Sequence, residues 1–121
     1  MAKQEMVVFT RCFDFLSWLL PASNGFPRVH RQTVTRRLLD AAFDVHEYLE
    51  AANHRQGPGR LQKLDQADEA LDNVRVYLRL CARWQWLTQG QYRHVAEMVA
   101  EIGRLLGGWR QATAGQGSTR S

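Results

Sequence analysis

The chain has 121 residues, of which 45% are hydrophobic and 23% charged, and its formal net charge is +4. This length suits one globular domain, and no apolar run approaches the roughly 20 residues needed to cross a bilayer. The amino-terminal segment also lacks a secretory pattern, so we expect a cytoplasmic protein with no membrane-spanning segment.

Two long helices are predicted in the first half of the chain, because apolar residues recur at steps of three and four. The first covers residues 4–20 and is ended by Pro21. Its apolar seam comprises Met6, Phe9, Phe13, Leu16 and Leu20. The second covers residues 29–54 and is ended by a Gly-Pro-Gly triplet at residues 57–59. Its seam comprises Val34, Leu38, Ala41, Val45, Tyr48 and Ala52.

Two further helices are predicted in the second half. The third covers residues 61–87, with a seam formed by Leu64, Ala67, Leu71, Val74, Leu78 and Cys81. The fourth begins after Thr88, which forms a capping-box pattern with Gln91. Its seam comprises Tyr92, Val95, Val99, Ile102, Leu106 and Trp109. Residues 112–121 lack core-forming side chains and are predicted to form a disordered tail, which leaves a single domain over residues 1–111.

The four seams together predict an all-α protein. Spacing near 3.5 residues is typical of helices that cross at small angles, and short connections favour antiparallel neighbours. The expected fold is therefore an antiparallel, up-down-up-down four-helix bundle. Cys12 and Cys81 fall within helical patterns and are predicted to be reduced thiols in the core.

No catalytic or metal-binding pattern is evident in the chain. The four histidines are scattered singly, without the spacing of metal ligands. No nucleophile is paired with a base, and no glycine-rich phosphate loop follows a strand, because no strand is predicted. We therefore expect a protein that is not an enzyme and has no cofactor or metal.

Arginine supplies most of the positive charge, since only Lys3 and Lys63 among the sixteen basic residues are lysines. A guanidinium grips phosphate through paired hydrogen bonds and stacks on bases, although GC-rich coding would enrich arginine equally well. The predicted topology collects many arginines at one end of the bundle: Arg28, Arg31, Arg36, Arg37, Arg75, Arg79, Arg83 and Arg93.

The order of charges differs between the second and third helices. The third is acidic first and basic last, as the helix dipole favours. The second has the unfavourable order, with arginines at its start and acids at its end. Pairing of those acids with Arg55 or Arg60 is one explanation, and a basic end that binds a phosphate backbone is the other. Of three nearby aromatic residues that could stack on unpaired bases, Trp84, Trp86 and Tyr92, only Trp86 is expected to be exposed.

Three segments carry a family resemblance: SWLLPASNGFPRVHR (17–31), ADEALDNVRVYLRL (67–80) and AEIGRLLGGW (100–109). Over about residues 9–110 the chain resembles the Avd accessory variability proteins of diversity-generating retroelements. It also resembles the related four-helix-bundle proteins encoded in intervening sequences of large ribosomal RNA genes. The acidic block at residues 65–72 departs from the more basic Avd pattern.

The resemblance implies a non-catalytic accessory protein with a basic surface. Avd proteins form homopentamers, bind nucleic acid and associate with a reverse transcriptase that makes error-rich cDNA from a template RNA. The arginines within the matched segments are Arg28, Arg31, Arg75, Arg79 and Arg104. Charge geometry adds Arg36, Arg37, Arg83 and Arg110 as further candidates for binding nucleic acid or a partner.

A second hypothesis is an oligomeric interaction scaffold of the intervening-sequence type, without a nucleic-acid role. The reversed charge order of the second helix favours the nucleic-acid hypothesis, and the acidic block favours the scaffold. Aromatic residues in excess of one small core predict subunit contacts in either case.

Overall fold

The protein is described from a computed structural model that covers the backbone of residues 3–119 and the side chains of residues 7–115. Its four α-helices are Lys3–Ser23 (α1), Arg36–Asn53 (α2), Gly57–Arg83 (α3) and Gln89–Thr119 (α4). A 3₁₀ turn, Arg28–His30, and a π-helical turn, Arg31–Thr35, precede α2. Residues 3–119 contain no strand, so the prediction of an all-α protein is confirmed.

Each helix packs against its neighbours in the chain, and α1 also packs against α4. Three side-chain contacts link the end of one helix to the start of another. They are Tyr48 with Lys63, Trp18 with His94, and Asp65 with Arg110. This packing is consistent with a four-helix bundle. No helix in the described part of the chain is both long and apolar enough to cross a membrane.

The predicted seams of the third and fourth helices form much of the core. All six predicted seam residues of α3 are buried, and so are five of the six in α4, while Tyr92 is half-buried. Cys12 and Cys81 are free thiols buried in this core, as predicted. Burial disfavours the thiolate and raises the pKa of Cys12 to about 12 and that of Cys81 to about 11.

The predicted seam of the first helix is wrong by one residue. The buried side chains of α1 are Val8, Cys12, Phe15 and Leu19. Phe13 is 67% exposed and Leu20 is 39% exposed, whereas Met6 lies outside the side chains described. Both series have helical spacing because apolar residues cover more than half of this helix. Only packing against α4 and α2 selects the buried series.

Prolines near the ends of two helices are accommodated rather than ending them. Helix α1 includes Pro21 and continues to Ser23, because one missing N–H in the last turn removes a single hydrogen bond. Helix α3 begins at Gly57, where φ is 57°, with Pro58 in its first turn. The N–H groups there lack helical partners in any case. The glycine-proline triplet therefore opens α3 as well as closing α2.

Helix α4 continues through residues 112–119, where the sequence predicts a disordered tail. Thr113 is buried, and its hydroxyl donates a 2.8 Å hydrogen bond to the carbonyl oxygen of Trp109. No proline interrupts this stretch, so no backbone N–H donor of the helix is missing there. Residues 120 and 121 lie outside the described residues.

Candidate nucleic-acid interface

The segment between α1 and α2 presents two of the predicted site arginines. Arg28 lies in the 3₁₀ turn and Arg31 in the π-helical turn, and both are exposed. The predicted second helix therefore does not start as an α-helix at residue 29. Single π-turns occur often at functional positions. The hydroxyl of Thr35, at the end of this turn, is buried and has no hydrogen-bond partner among the described residues.

The turn between α3 and α4 reverses the prediction for the two tryptophans. Helix α3 ends at Arg83, and Gln85 adopts a positive φ of 61°. The chain then turns back, and the Trp86 N–H donates a 2.8 Å hydrogen bond to the carbonyl oxygen of Cys81. Trp86 packs against the core, whereas Trp84 is 69% exposed. The expectation that only Trp86 is exposed is wrong, because helical periodicity stops before Trp84.

The start of α4 carries the predicted capping box. The Thr88 N–H donates to Gln91 Oε1 at 2.9 Å, and the Gln91 N–H donates to Thr88 Oγ1 at 3.0 Å. These bonds satisfy N–H groups that have no partner within the helix.

A pocket of about 200 Å³ lies between the segment that joins α1 to α2 and the turn that joins α3 to α4. It is lined by His30, Val34, Leu80, Trp84 and Trp86. The imidazole of His30 stacks on Trp86 with 5.1 Å between ring centroids and an interplanar angle of 26°. We call this the aromatic pocket. We use the term basic end for the aromatic pocket together with the arginines of residues 28–37 and 79–83.

A second concavity, the α3–α4 groove, has a volume of about 650 Å³ and contains three predicted site arginines, Arg75, Arg79 and Arg104. Gly103 lies beneath one of them, since a Cβ built there would lie 2.5 Å from Arg75 Nη2. Glycine at this position therefore allows Arg75 to lie close to the α4 backbone.

Eight of the nine candidate arginines, all except Arg110, divide into two groups according to their partners. Three have an acidic partner on the same helix: Arg36 with Asp40 at 3.8 Å, Arg75 with Asp72 at 2.6 Å, and Arg104 with Glu101 at 2.7 Å. The guanidinium groups of the other five form no ion pair or hydrogen bond with any residue that the structure describes. These free arginines are Arg28, Arg31, Arg37, Arg79 and Arg83, and all are exposed.

The Arg104 pair is bidentate, with hydrogen bonds of 3.0 and 2.7 Å to the two carboxylate oxygens of Glu101. These hydrogen bonds lower the pKa of Glu101 and raise that of Arg104, so both stay ionised. To bind an external anion, Arg104 must first break its ion pair with Glu101. Arg79, in the same groove, has no such competitor among the described residues.

Arg110, the ninth candidate arginine, lies outside the basic end. Its guanidinium bridges Asp65 at 2.7 Å and Asp68 at 3.5 Å. Part of the acidic block is thus neutralised by the end of α4. We call this region, where α3 begins and α4 ends, the acidic end.

The reversed charge order of α2 is not explained by pairing of its acids with Arg55 or Arg60. Arg60 donates a 3.1 Å hydrogen bond to the carbonyl oxygen of Ala52 and lies 5.5 Å above the ring of Trp109. Neither Arg55 nor Arg60 forms an ion pair with a described acid. Burial, followed by the charges of Glu47 and Asp40, raises the pKa of Asp44. The acids of α2 therefore repel one another.

The described residues include no group of three or more His, Cys, Asp or Glu side chains arranged to hold a metal ion. The basic end presents exposed guanidinium groups and aromatic rings. Such groups bind phosphates and stack on bases.

Comparison with known proteins gives a family and a fold. A family model described as bAvd-like matches residues 6–113. The structure is similar to the 1.70 Å crystal structure of a protein with unknown function from the S23 ribosomal protein family of Bacteroides thetaiotaomicron. The two chains are 17% identical with a TM-score of 0.81, and the match covers 89% of this chain and 98% of the other. At this identity the likeness shows the fold alone. No curated protein sequence matches the chain significantly.

Proposed function

The chain belongs to the bAvd-like family, and from this premise we propose that it is a nucleic-acid-binding accessory protein of a diversity-generating retroelement. Membership of this family supports an Avd-like accessory protein. In the proposed role, the basic end binds template RNA or cDNA and the reverse transcriptase. It thereby supports mutagenic cDNA synthesis.

The single observation that carries this proposal is the set of five free arginines. Two of them, Arg79 and Arg83, follow each other by one helical turn on α3, and the others lie in residues 28–37. An unpaired, exposed guanidinium contributes little to folding but releases condensed counterions when it meets a phosphate. Arg37 also lies in the first turn of α2, where the helix dipole disfavours positive charge.

Salt dependence of binding is the direct test. We expect labelled single-stranded RNA and DNA to bind at low salt, with log K falling linearly as log salt concentration rises. Contacts by about five arginines predict a slope of about −3.5 for a single strand. Fluorescence anisotropy at several salt concentrations measures this slope. No binding at low salt would contradict the proposal.

A pair of charge-matched variants locates the interface. Arg79→Glu with Arg83→Glu is expected to abolish binding, whereas Arg11→Glu with Arg55→Glu is expected to retain it. Each double variant removes two positive charges and adds two negative charges, which takes the net charge from +4 to 0. Equal losses in the two variants would indicate a general effect of net charge rather than a site. Circular dichroism checks that both remain helical.

The reverse transcriptase is the proposed protein partner. The reverse transcriptase encoded nearest this gene is expected to co-purify with the wild-type chain. It is expected to be lost with the Arg79→Glu and Arg83→Glu variant if the basic end is the shared contact. Retention by that variant and loss with Arg11→Glu and Arg55→Glu would move the partner site elsewhere.

A homo-oligomer is also proposed, and an apolar strip on α1 supports it. Phe13 and Leu20 are exposed, with half-buried Phe9 and Leu16 on the same side of the helix. Exposed apolar side chains grouped in this way are typical of contact surfaces. Sedimentation equilibrium is expected to give a multiple of 13.9 kDa, and a pentamer is the size implied by the Avd resemblance. A monomeric mass would contradict the proposal.

The same α1 strip favours the second candidate function, an oligomeric scaffold without a nucleic-acid role. The two functions predict different results in the same pair of assays. An oligomer that binds no nucleic acid at low salt would support the scaffold. Loss of oligomerisation in Phe13→Ser, with nucleic-acid binding retained by the monomer, would separate the two surfaces.

A further inference from the structure

We infer that the aromatic pocket receives one unpaired nucleobase, which stacks on Trp84. This inference rests on the proposed nucleic-acid function and makes it more specific. It adds a preference for single strands to binding that would otherwise depend only on phosphate charge.

The lining of the pocket suits a flat, uncharged ring. Val34 and Leu80 provide aliphatic walls, the other three lining residues are aromatic, and none of the described lining residues is acidic. The volume of about 200 Å³ limits the occupant to one small group. Apolar clefts that contain a few polar groups are the usual form of a small-ligand site.

The two tryptophans differ in what they offer to such a ring. Trp86 already contacts His30, as described, and Phe26, whose ring centroid is 5.8 Å away at an interplanar angle of 42°. Trp84 has no ring partner among the described residues and is 69% exposed. Trp86 therefore forms a fixed floor, and Trp84 is the ring with a face available for stacking.

Charge around the pocket distinguishes a nucleotide from an apolar peptide side chain. Two free arginines adjoin lining residues in sequence, since Arg31 follows His30 and Arg83 precedes Trp84, whereas Arg79 lies in the separate α3–α4 groove. An apolar partner would cover or crowd these guanidinium groups without pairing them, which is unfavourable. A nucleotide places its base in the pocket and its phosphates among the arginines, so both kinds of group are satisfied.

A base held within a duplex is stacked on its neighbours and is not available to such a pocket. Proteins that bind single strands combine a positive surface with aromatic rings that stack on successive bases. The basic end has both features, with room for one base. We therefore expect tighter binding of unpaired strands than of duplexes that present the same number of phosphates.

The test compares a thymidine oligonucleotide with an abasic oligonucleotide of equal length and charge. The full-length wild-type chain is expected to bind the thymidine strand at least fivefold more tightly, since stacking on one aromatic side chain typically contributes that much or more. Trp84→Ala is expected to bind both strands with the affinity that the wild type shows for the abasic strand. Trp84→Phe is expected to retain most of the difference, and Trp84→Leu to lose it.

Each other outcome of this experiment overturns the inference in a recognisable way. Equal wild-type affinities for both strands would exclude the base pocket while leaving phosphate binding by the arginines intact. No binding of either strand at low salt would exclude the pocket and the proposed function together. If Trp84→Ala weakens both strands equally, or changes the sedimentation mass, Trp84 acts through structure or subunit contact instead. Because Trp84 is exposed, its variants are expected to unfold at the wild-type urea midpoint.

Discussion

The two ends of the molecule use arginine and tryptophan in opposite ways. At the acidic end, Arg110 pairs with two aspartates and Arg60 lies over the buried indole of Trp109. At the basic end, Arg79 and Arg83 have no partner among the described residues, and Trp84 is 69% exposed. The arginine and tryptophan side chains named at the acidic end interact with the protein, whereas Arg79, Arg83 and Trp84 remain available to a ligand.

This difference shows that the number of arginines in a helix says little about binding until their partners are known. An exposed ion pair contributes about 0–1 kcal/mol to stability and withdraws its arginine from external anions. An unpaired arginine keeps its full capacity for phosphate. We therefore expect variants at the acidic end to change stability and variants at the basic end to change binding.

The largest expected effect comes from replacing a tryptophan at each end. Trp109 is 6% exposed, with its ring 6.1 Å from that of Phe9. Trp109→Ala is expected to lower the free energy of unfolding by about 3–5 kcal/mol, because it leaves a large cavity. Trp84→Ala is expected to change it by less than about 0.5 kcal/mol. Urea denaturation followed by circular dichroism measures both values, and similar losses would remove the distinction between the ends.

The pH dependence of stability tests whether the Cys81 thiol, in the core beneath the basic end, is shielded from water. The pKa of Cys81 is raised by burial to about 11 in the folded protein, from an ordinary value of 9.0. Its stabilising contribution is therefore complete below pH 9 and is lost as pH rises towards 11. Between pH 8 and pH 10, wild type is expected to lose about 1 kcal/mol more than Cys81→Ala.

Denaturation in a reducing buffer at the two pH values measures this difference. Cys12→Ala is expected to show the same reduced loss, because burial raises the pKa of Cys12 to about 12. The free energies at pH 8 also include the packing change, so only the difference between pH values is compared. Parallel losses in wild type and Cys81→Ala would show that Cys81 is accessible to water.

Two glycines of α4 are expected to respond differently to alanine. A Cβ at Gly108 would meet no atom within 4 Å, so Gly108→Ala is expected to stabilise the protein by about 0.5–1 kcal/mol through helix propensity. At Gly103 the new Cβ would displace Arg75 from its position over α4, so the gain is expected to be smaller. Thermal unfolding compares them, and a larger gain at Gly103 would mean that the position of Arg75 contributes nothing.

The smallest expected effect concerns the ion pairs at the acidic end. Arg110→Ala is expected to lower the free energy of unfolding by no more than about 1 kcal/mol, because its side chain is 38% exposed and those of Asp65 and Asp68 are 49% and 36% exposed. Arg83→Ala is expected to leave stability unchanged while weakening nucleic-acid binding. A double-mutant cycle of Arg110→Ala and Asp65→Ala measures the coupling energy of this ion pair. A coupling energy of zero would show that the pair does not contribute to stability.

Much of the fold was predictable from the sequence because burial in α3 and α4 follows one clear series of apolar positions. In α1 two series compete, and the sequence favours Phe13 and Leu20 over the buried Phe15 and Leu19. The choice depends on which face meets the neighbouring helices. The exposed α1 strip is therefore a consequence of tertiary packing that periodicity alone did not indicate.

The candidate site was only partly predictable for a related reason. Sequence patterns identified the arginines, but their pairing depends on rotamers and neighbours, so Arg79 and Arg104 looked equivalent. Trp84 is exposed and Trp86 is packed, the reverse of the prediction. This difference depends on one residue, Gln85, which has a positive φ. Residues other than glycine seldom adopt this conformation, and no local pattern marked it. The aromatic pocket required both turns to be placed in space.

The sequence by itself determined the helical class, the seams of α3 and α4, and the positions of the arginines along the chain. These depend on periodicity and on charge order within single helices, which are local properties. Only the tertiary structure decided which face of α1 is buried, which arginines are free and which tryptophan is exposed. Those outcomes depend on contacts between residues distant in sequence, such as Arg110 with Asp65 and His30 with Trp86.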